Sequence, residues 1–329
     1  AGLAYLASGD PLGSSLELLS LAQSLARAGR MHPPRVWVVT RGAHRVDALD
    51  PVDPAAAPVW GLARTIAHEH PSFRASSFDL PLEPDAAAIR ALVAEFLGDG
   101  PEDQVAWRDG TRRVARLVPL SDFDPPPVAI HGEATYLVTG GLGALGLALA
   151  GRLVERGARH LVLAGRSPPA PAAFEAIAAL EDAGATVAVR SADVSLRPAV
   201  AALVGEIRAA FPPLAGVIHG AAVLDDATVL RQDPERFRRA FGPKVDGGLH
   251  LHLETLDDPL DFFVLMGSAA AVLGSPGQAN YAAASAHLDA LAEARRAIGL
   301  PAVSIEWGPW SDVGLAAAPG RGARLATDP

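Results

Sequence analysis

The sequence predicts an α/β protein made of two Rossmann-like, doubly wound subdomains. Short runs of β-type residues alternate with longer amphipathic runs in both halves, which is the order of βαβ units around a parallel sheet. A glycine-rich turn follows a buried strand in the second half, where a nucleotide-binding loop would lie. The length of 329 residues also exceeds the usual size of one domain.

The first half is interpreted as a degenerate, structural subdomain, residues 1–123. Its predicted elements are the strands Leu3–Ala7, Arg35–Val39 and Phe73–Phe78, the helices Ser14–Ala28, Trp60–Glu69 and Ala86–Phe96, and a hairpin of Gln104–Trp107 and Arg113–Leu117 through Asp109–Gly110. The turn after its first strand contains Asp10, which would repel a pyrophosphate, and Pro11, which has no N–H to offer. We therefore expect no nucleotide there.

The second half, residues 133–329, contains the complete repeat. Its predicted strands are Thr135–Val138, His160–Leu163, Thr186–Val189, Gly216–His219, Phe262–Leu265 and Val303–Glu306, and its predicted helices are Gly143–Arg156, Ala172–Ala183, Arg197–Ala210, Pro234–Leu253 and Tyr281–Ile298. Three consecutive prolines, Pro125–Pro127, predict a stiff linker over 124–132.

Composition excludes several classes of site. The chain has 28 basic and 37 acidic residues and a formal net charge of −9, so we expect no binding to nucleic acid or to an anionic membrane. Without cysteine there are no disulfides, thiolate nucleophiles or Cys-ligated metals. We predict no metal site and a cytoplasmic protein. The chain starts in a strand without Met, as expected of a segment excised from a longer protein.

The turn after Thr135–Val138 predicts dinucleotide binding. Gly140, Gly141, Leu142, Gly143 and Gly146 form a loop with GxGxxG spacing that opens a helix. The glycines allow the backbone to approach a pyrophosphate, whose charge is stabilised at the helix N-terminus.

The end of the second strand predicts NADPH rather than NADH. An acidic residue there would bind the ribose 2′-hydroxyl, but this chain has Arg166 and Ser167. Arg166 can pair with a 2′-phosphate and Ser167 can add a hydrogen bond. The alternative is that Arg166 is a solvated surface residue.

One tyrosine stands apart as a candidate proton donor. Tyr5 and Tyr136 lie in apolar strand contexts and are expected in the core, whereas Tyr281 begins a helix after a glycine-rich stretch. Ser268, thirteen residues earlier, follows a predicted strand, where active sites of doubly wound folds gather. Reduction of a ketone by hydride needs an acid, a second donor to the carbonyl and a cation that lowers the pKa of the acid.

Seven segments of the second half resemble a short-chain dehydrogenase/reductase, specifically a ketoreductase (KR) domain of a modular polyketide synthase. They are TGGLGALG (139–146), AGRS (164–167), ADVS (192–195), HGAAVLDD (219–226), FGPKVDGGLHLH (241–252), GSPGQANYAAASAHLDAL (274–291) and WGPW (307–310). The first half resembles the family's structural subdomain through 33–43 and 57–71.

The resemblance implies a catalytic set. Tyr281 would be the proton donor, Ser268 the second donor to the substrate carbonyl, and Lys244 the cation, which also contacts the cofactor ribose. The family usually has Asn where this chain has Ser285, and a serine can still hold a water or accept a hydrogen bond from Lys244. Without the resemblance, Lys244 reads as a solvated helix lysine.

It also implies further cofactor contacts. Asp193 and the Val194 backbone would hold the adenine, and Gly220, Ala221 and Ala222 would border the nicotinamide ribose. Pro309 and Trp310 would cover the nicotinamide. His219 is interpreted as a satisfied buried histidine. The family's lid helix would follow Trp310, and we expect it to be truncated in this chain.

Stereochemistry is implied by a fingerprint. Leu224, Asp225 and Asp226 resemble the LDD sequence of B-type ketoreductases, which give the D-hydroxyl, and Gln278 replaces the tryptophan that marks the A-type. The aspartates could also be ordinary solvated loop residues.

The implied function is NADPH-dependent reduction of a 3-oxoacyl thioester within a synthase. The partners would be an acyl carrier protein bearing a phosphopantetheine-linked chain and other domains of the synthase, with Arg231, Arg236, Arg238 and Arg239 as a candidate basic patch. The alternatives are an inactive scaffold with the same fold and a free-standing reductase or epimerase of a small substrate.

Overall fold

The computed structural model describes residues 2–47, 50–120 and 128–310. The chain forms two compact units. Unit 1 comprises Ala1–Pro126, Asp225–Phe241 and Gly267–Gly299, and unit 2 comprises Pro127–Leu224, Gly242–Met266 and Leu300–Pro329. Residues 124–127 of the predicted linker and the predicted truncated lid after Trp310 lie outside the described residues, and the boundaries at 123 and 133 stay predictions.

Unit 1 contains a five-stranded sheet in the order β1-β2-β3-β4-β5, parallel except for β4 and β5. Its elements in the first half are β1 (Gly2–Leu6), α1 (Pro11–Arg27), β2 (Arg35–Arg41), α2 (Pro58–Glu69), β3 (Ser76–Leu80), α3 (Ala86–Leu97), β4 (Gln104–Arg108) and β5 (Thr111–Val114). The turn residues Asp109 and Gly110 have φ of 45° and 73°, which is typical of a tight hairpin. The predicted Rossmann-like first half and its hairpin are confirmed.

Several predicted bounds in this half are wrong, and two of them have a clear local cause or shorten a strand. The strand predicted at Phe73–Phe78 begins at Ser76, because Pro71–Phe73 forms a 3₁₀ turn and Arg74 is left-handed at φ 46°. The last strand ends at Val114 rather than Leu117.

Asp10 explains why the first turn of unit 1 is not a phosphate loop. It is the N-cap of α1, and its carboxylate accepts hydrogen bonds from Leu12 N at 3.3 Å and Gly13 N at 3.0 Å. These helix N-terminal amides are the donors that a phosphate would need. The structural interpretation of this half is confirmed.

Unit 2 contains a six-stranded parallel sheet in the order β11-β10-β9-β6-β7-β8. Its elements are β6 (Thr135–Thr139), α4 (Ala144–Glu155), β7 (His160–Gly165), α5 (Pro171–Asp182), β8 (Thr186–Ser191), α6 (Arg197–Ala210), β9 (Leu214–His219), α8 (Gly247–Glu254), β10 (Phe262–Met266) and β11 (Val303–Ile305). The strand order reverses between β6 and β9, which is the position where doubly wound sheets bind ligands. Buried apolar side chains such as Tyr136, Val138 and Leu161 form its core.

The helix predicted at Pro234–Leu253 is wrong as a single element. The chain forms α7 (Pro234–Phe241), a π-helical turn (Gly242–Asp246) and then α8. Pro243 has no N–H for the helical ladder and Gly242 has low helix propensity, so the α-helix is interrupted there. A further helix, α9 (Ala269–Leu273), precedes α10 (Ala279–Ala297) in unit 1.

Across the described ranges, no helix is both long and apolar enough to cross a membrane.

Candidate active site

The loop between β6 and α4 is a tight glycine cradle in unit 2. Gly140 has φ of 66°, and a β-carbon there would lie 2.6 Å from Gly220 O. A β-carbon on Gly141 would lie 2.6 Å from Val138 O, and one on Gly146 would lie 2.4 Å from Gly140 O. Backbone fills these positions, so only glycine fits.

The N-terminus of α4 has no side-chain cap. Gly143 is its N-cap residue and exposes the first turn of the helix. Uncapped N–H groups and the positive end of the helix dipole favour an anion at this end. The loop therefore fits the pyrophosphate of a dinucleotide.

Arg166 and Ser167 lie just beyond β7, and both are exposed. Arg166 forms no ion pair with any other described residue, so its guanidinium is available. Leu142 of the glycine loop packs over Gly165, where a β-carbon would lie 3.0 Å from Leu142 Cδ1. The glycine loop and the cation are thus joined at one edge of the sheet.

The remaining cofactor candidates of unit 2 line its strand ends. Asp193 Oδ1 accepts from Ser195 N at 3.0 Å and from Ser195 Oγ at 2.7 Å, while Val194 is buried. Gly220 N donates to Thr139 O at 2.9 Å, and Ala221 and Ala222 follow it, half-buried. These residues all follow β8 or β9.

The end of the described chain carries an aromatic pair. The rings of Trp307 and Trp310 are 4.8 Å apart, and Trp307 packs against the core of unit 2. Trp310 is half-buried and Pro309 is exposed. Trp310 is therefore connected to the core of unit 2 through Trp307.

Lys244 is buried, contrary to its reading as a solvated helix lysine. Its side chain is 1 % exposed in the π-helical turn, and Nζ donates to Met266 O at 2.8 Å. Met266 is the last residue of β10. A buried ammonium needs such a partner, and the carbonyl fixes it at the carboxyl edge of the sheet.

His219 is buried, as predicted, but only one of its ring nitrogens has a hydrogen-bond partner among the described residues. Nδ1 lies 2.7 Å from Thr139 Oγ1. Burial, followed by the charge of Lys244, lowers the pKa of His219 to about 4. The imidazole is therefore neutral at pH 7.

Ser268 and Tyr281 begin consecutive helices of unit 1. Ser268 is the N-cap of α9, and its Oγ accepts from Ala270 N at 3.2 Å. Tyr281 lies in the first turn of α10, half-buried, with its backbone N–H donating to Asn280 Oδ1 at 2.8 Å. Helices α9 and α10 pack together. Both side chains therefore have rigid helical supports.

The other two tyrosines differ from Tyr281 in where their hydroxyls lie. Tyr136 is fully buried, as expected, with its hydroxyl accepting from His131 N at 2.7 Å. Tyr5 is only half-buried, so its expected place in the core is wrong. Its hydroxyl lies on α1, 2.9 Å from Ser14 O and 2.8 Å from Glu17 Oε2.

Ser285 lies one helical turn after Tyr281 on α10. Its side chain is fully buried, and Oγ has no hydrogen-bond partner among the described residues.

The stereocontrol candidates of unit 1 are held by side-chain contacts. Gln278 Nε2 donates to Asp226 Oδ1 at 3.3 Å. Asp225 pairs with Arg236 and with Arg239 Nε, the latter at 2.5 Å. Asp225 is therefore an anchored residue rather than a solvated one, whereas Asp226 is exposed. Leu224, in unit 2, is half-buried.

Asn280 is a positioning residue that the sequence patterns did not single out. Its Nδ2 lies 3.0 Å from Asp225 O and 3.2 Å from Arg236 O, so it ties α10 to the loop and to α7. Its place directly before Tyr281 was the available signal.

Ion pairs engage Arg236 and Arg239 of the predicted basic patch, whereas Arg231 and Arg238 are exposed.

No group of three or more His, Asp or Glu side chains in the described ranges could hold a metal ion.

The catalytic candidates divide by unit: Ser268, Tyr281 and Ser285 belong to unit 1, and Lys244 belongs to unit 2.

Comparison with known proteins identifies the family. The protein-family model described as the KR domain matches residues 134–312, more than half of the chain. This chain belongs to the KR domain family. A second model, the Rossmann fold domain of the polyketide synthase extender module SpnB, matches residues 12–117. The two halves of this KR domain therefore correspond to the structural and catalytic subdomains of polyketide synthase ketoreductases.

Curated relatives are much longer than this KR domain. It is 43% identical over 318 residues to one of the phenolphthiocerol/phthiocerol polyketide synthase proteins of Mycobacterium tuberculosis, covering 94% of this chain and 17% of that protein. It is 43% identical to polyketide synthase GfsA of Streptomyces halstedii, covering 91% of this chain and 4% of that protein. The chain thus spans less than a fifth of either relative.

Solved ketoreductases have the same fold. One A-type ketoreductase from a modular polyketide synthase aligns with a TM-score of 0.84 at 41% identity, covering 95% of this chain and 66% of that one. An A1-type ketoreductase aligns with a TM-score of 0.86 at 40% identity, covering 95% of this chain and 66% of that one. A C2-type ketoreductase from a modular polyketide synthase aligns with a TM-score of 0.85 at 34% identity, covering 95% of this chain and 65% of that one. KR domains are oxidoreductases that reduce a β-keto group and bind a nicotinamide cofactor, so the predicted reductase class is confirmed.

Proposed function

We propose that this KR domain catalyses the NADPH-dependent reduction of a 3-oxoacyl thioester to the D-3-hydroxyacyl thioester, on an acyl carrier protein of its own synthase. The observation that carries the proposal is the glycine cradle at Gly140, Gly141 and Gly146, where backbone occupies the space of any side chain. Glycine at these positions also lets a dinucleotide approach the backbone closely.

NADPH, when bound, supplies the hydride that C3 of the substrate accepts. The residues of this chain stabilise the negative charge that develops on the oxygen of the substrate carbonyl. Tyr281 gives its hydroxyl proton to the oxygen, and Ser268 donates a hydrogen bond to it. Lys244 is proposed as the cation of the catalytic set, which favours negative charge on the acid as its proton leaves. Hydride and proton together give the secondary alcohol.

Specificity for NADPH over NADH is assigned to Arg166. The guanidinium is exposed and not paired with a described carboxylate, so it can form a two-pronged contact with a 2′-phosphate, assisted by Ser167. Asp193 and Val194 would hold the adenine. Gly220, Ala221, Ala222, Pro309 and Trp310 would border the ribose and nicotinamide.

The B-type outcome is proposed from Leu224, Asp225, Asp226 and Gln278. Leu224 would bias the side from which the acyl chain enters. The hydrogen bond between Gln278 and Asp226 supports a single arrangement of the fingerprint loop. The solved neighbours named A-, A1- and C2-type show that one fold accommodates several subtypes.

The carrier protein would dock on exposed basic residues. Arg231 and Arg238 are exposed, whereas Arg236 and Arg239 are held in ion pairs with Asp225. We propose the first two as the basic contribution, other domains of the synthase as further partners, and the cytoplasm as the location.

The test follows NADPH oxidation with a 3-oxoacyl thioester and resolves the alcohol by chiral chromatography. Tyr281→Phe should lower kcat by about 10²-fold or more, because general acid catalysis contributes about 10²–10⁴-fold. Tyr5→Phe is the matched control, since that hydroxyl binds Ser14 and Glu17 on α1, and its kcat should be unchanged. An L-alcohol would refute only the B-type assignment. A wild type that binds NADPH without turnover would indicate the inactive scaffold instead.

A further inference from the structure

We infer that Glu69, the last residue of α2, is a positioning residue that holds two loops, one around Asp226 and one around Gln278, and thereby sets the configuration of the product. We call these two segments the stereocontrol loops. The inference rests on the proposed function, because it assumes that Asp226 and Gln278 direct the substrate. All the residues that carry it belong to unit 1.

The Glu69 carboxylate bridges the two loops. Oε2 accepts from Val229 N at 2.6 Å, and Oε1 accepts from Gly277 N at 2.8 Å. Val229 lies three residues after Asp226, and Gly277 directly precedes Gln278. One side chain therefore satisfies a backbone donor in each loop.

The same loops also contact each other. Ala227 N donates to Gly277 O at 2.8 Å, and Gln278 Nε2 donates to Asp226 Oδ1 at 3.3 Å. The carboxylate attaches the pair to α2.

Helix α2 is itself fixed to the supports of Tyr281 and Ser268. A β-carbon on Gly61 would lie 2.3 Å from Ala282 O, so α2 touches the α10 backbone next to Tyr281. Arg64 Nη1 donates to Ala271 O at 2.5 Å, and His68 Nε2 lies 2.8 Å from Leu273 O, both on α9. The position of the Glu69 carboxylate therefore relates the stereocontrol loops to the proton donor.

Helix stability does not explain a glutamate at this position. The C-terminal turn of a helix is the negative end of its dipole and disfavours a carboxylate. The compensation comes from the two charge-assisted hydrogen bonds to Val229 and Gly277, which are stronger than neutral ones. The charge is therefore placed for the loops rather than for the helix.

The experiment compares Glu69→Gln and Glu69→Ala with the wild type and with Glu83→Gln. Glu83 is an exposed glutamate of the same unit and serves as the matched control. Five quantities are measured: the ratio of the two alcohols, kcat and KM for the thioester, the melting temperature, and hydrogen exchange in peptides covering 225–231 and 274–280.

Glu69→Ala should raise the minor alcohol about tenfold, which corresponds to a loss of about 1.4 kcal/mol in discrimination. Glu69→Gln, which keeps one acceptor oxygen, should have a smaller effect in the same direction. Both variants should speed exchange in both peptides about tenfold or more, because each amide loses a charged acceptor. Glu83→Gln should match the wild type in every measurement.

Several results would overturn the inference. An unchanged alcohol ratio in folded Glu69→Gln would do so, as would faster exchange in one peptide only. A lower melting temperature, with the rates of formation of both alcohols lowered by the same factor, would show a structural role alone. Failure of the proposed function looks different, since the wild type and Glu83→Gln would then also lack turnover. Hydrogen exchange in Glu69→Gln tests the bridging of the two loops by the carboxylate without any turnover.

Discussion

Single residues of this KR domain are distinguished by the partners they already have. Arg236 and Arg239 form ion pairs with Asp225, so their charges are already paired within unit 1. Arg166 forms no ion pair with a described residue and follows a strand end beside the glycine loop. Sequence alone does not separate these arginines, because pairing depends on residues that are distant along the chain.

Arg166→Ala should weaken NADPH binding about 10–100-fold and leave NADH binding unchanged. The lost interaction is a charged hydrogen bond to the 2′-phosphate, worth about 1.5–3 kcal/mol, and NADH lacks that phosphate. Fluorescence titration with each nucleotide measures the two Kd values. Arg156→Ala, an exposed arginine at the end of α4, is the control. Equal weakening of both nucleotides would refute the assignment.

At the scale of elements, hydrophobic periodicity predicts the sheets well, because every strand of unit 2 is a short apolar run between turn residues. It fails at Gly242–Asp246, where Pro243 turns one predicted helix into α7, a π-helical turn and α8. It also missed α9, whose N-cap Ser268 and following Gly274 are recognisable helix signals. Both failures lie next to catalytic candidates, where local irregularity buries Lys244 and supports Ser268.

Gly61→Ala tests the packing of α2 against α10. The new β-carbon would lie 2.3 Å from Ala282 O, so the helices must separate, and the free energy of unfolding should fall by about 1–3 kcal/mol. Gly205→Ala is the matched control, because a β-carbon there meets nothing within 4 Å on α6. Helix propensity alone should make that variant about 0.5–1 kcal/mol more stable. Urea unfolding measures both, and equal effects of the two substitutions would contradict the close approach.

At the scale of the whole molecule, the halves seen in the sequence differ from the compact units. Asp225–Phe241 and Gly267–Gly299 come from the second half but belong to unit 1. Periodicity reports which face of an element is buried, but it does not tell which partner covers that face. Tyr281 could therefore be singled out from its local context, whereas its support by Gly61 required the structure. The roles of Lys244 and Ser285 came only from family resemblance, since a lysine or serine on a helix has no distinctive pattern.

Buried histidines should make the whole chain sensitive to acid. Burial lowers the pKa of His44 to about 3 and those of His219 and His287 to about 4. The folded state therefore binds fewer protons than the unfolded state, in which a histidine has a pKa of about 6.5. Their stabilisation is complete above pH 6.5 and is lost as the pH falls from 6.5 toward 4 for His219 and His287 and toward 3 for His44. Near pH 5 the loss is about 1 kcal/mol per pH unit for each histidine.

His287→Gln isolates one of these contributions. His287 is buried in unit 1 with Nδ1 2.9 Å from Pro54 O, outside the set of catalytic candidates. Urea unfolding at pH 7.5, 6 and 5 should show the variant less stable than wild type at pH 7.5, with the gap closing by about 2 kcal/mol by pH 5. Carboxylates whose pKa is raised by burial, such as Asp79, affect both proteins and cancel in the difference. A gap that stays constant with pH would mean that His287 does not titrate on unfolding, and the acid sensitivity would then have to come from other groups.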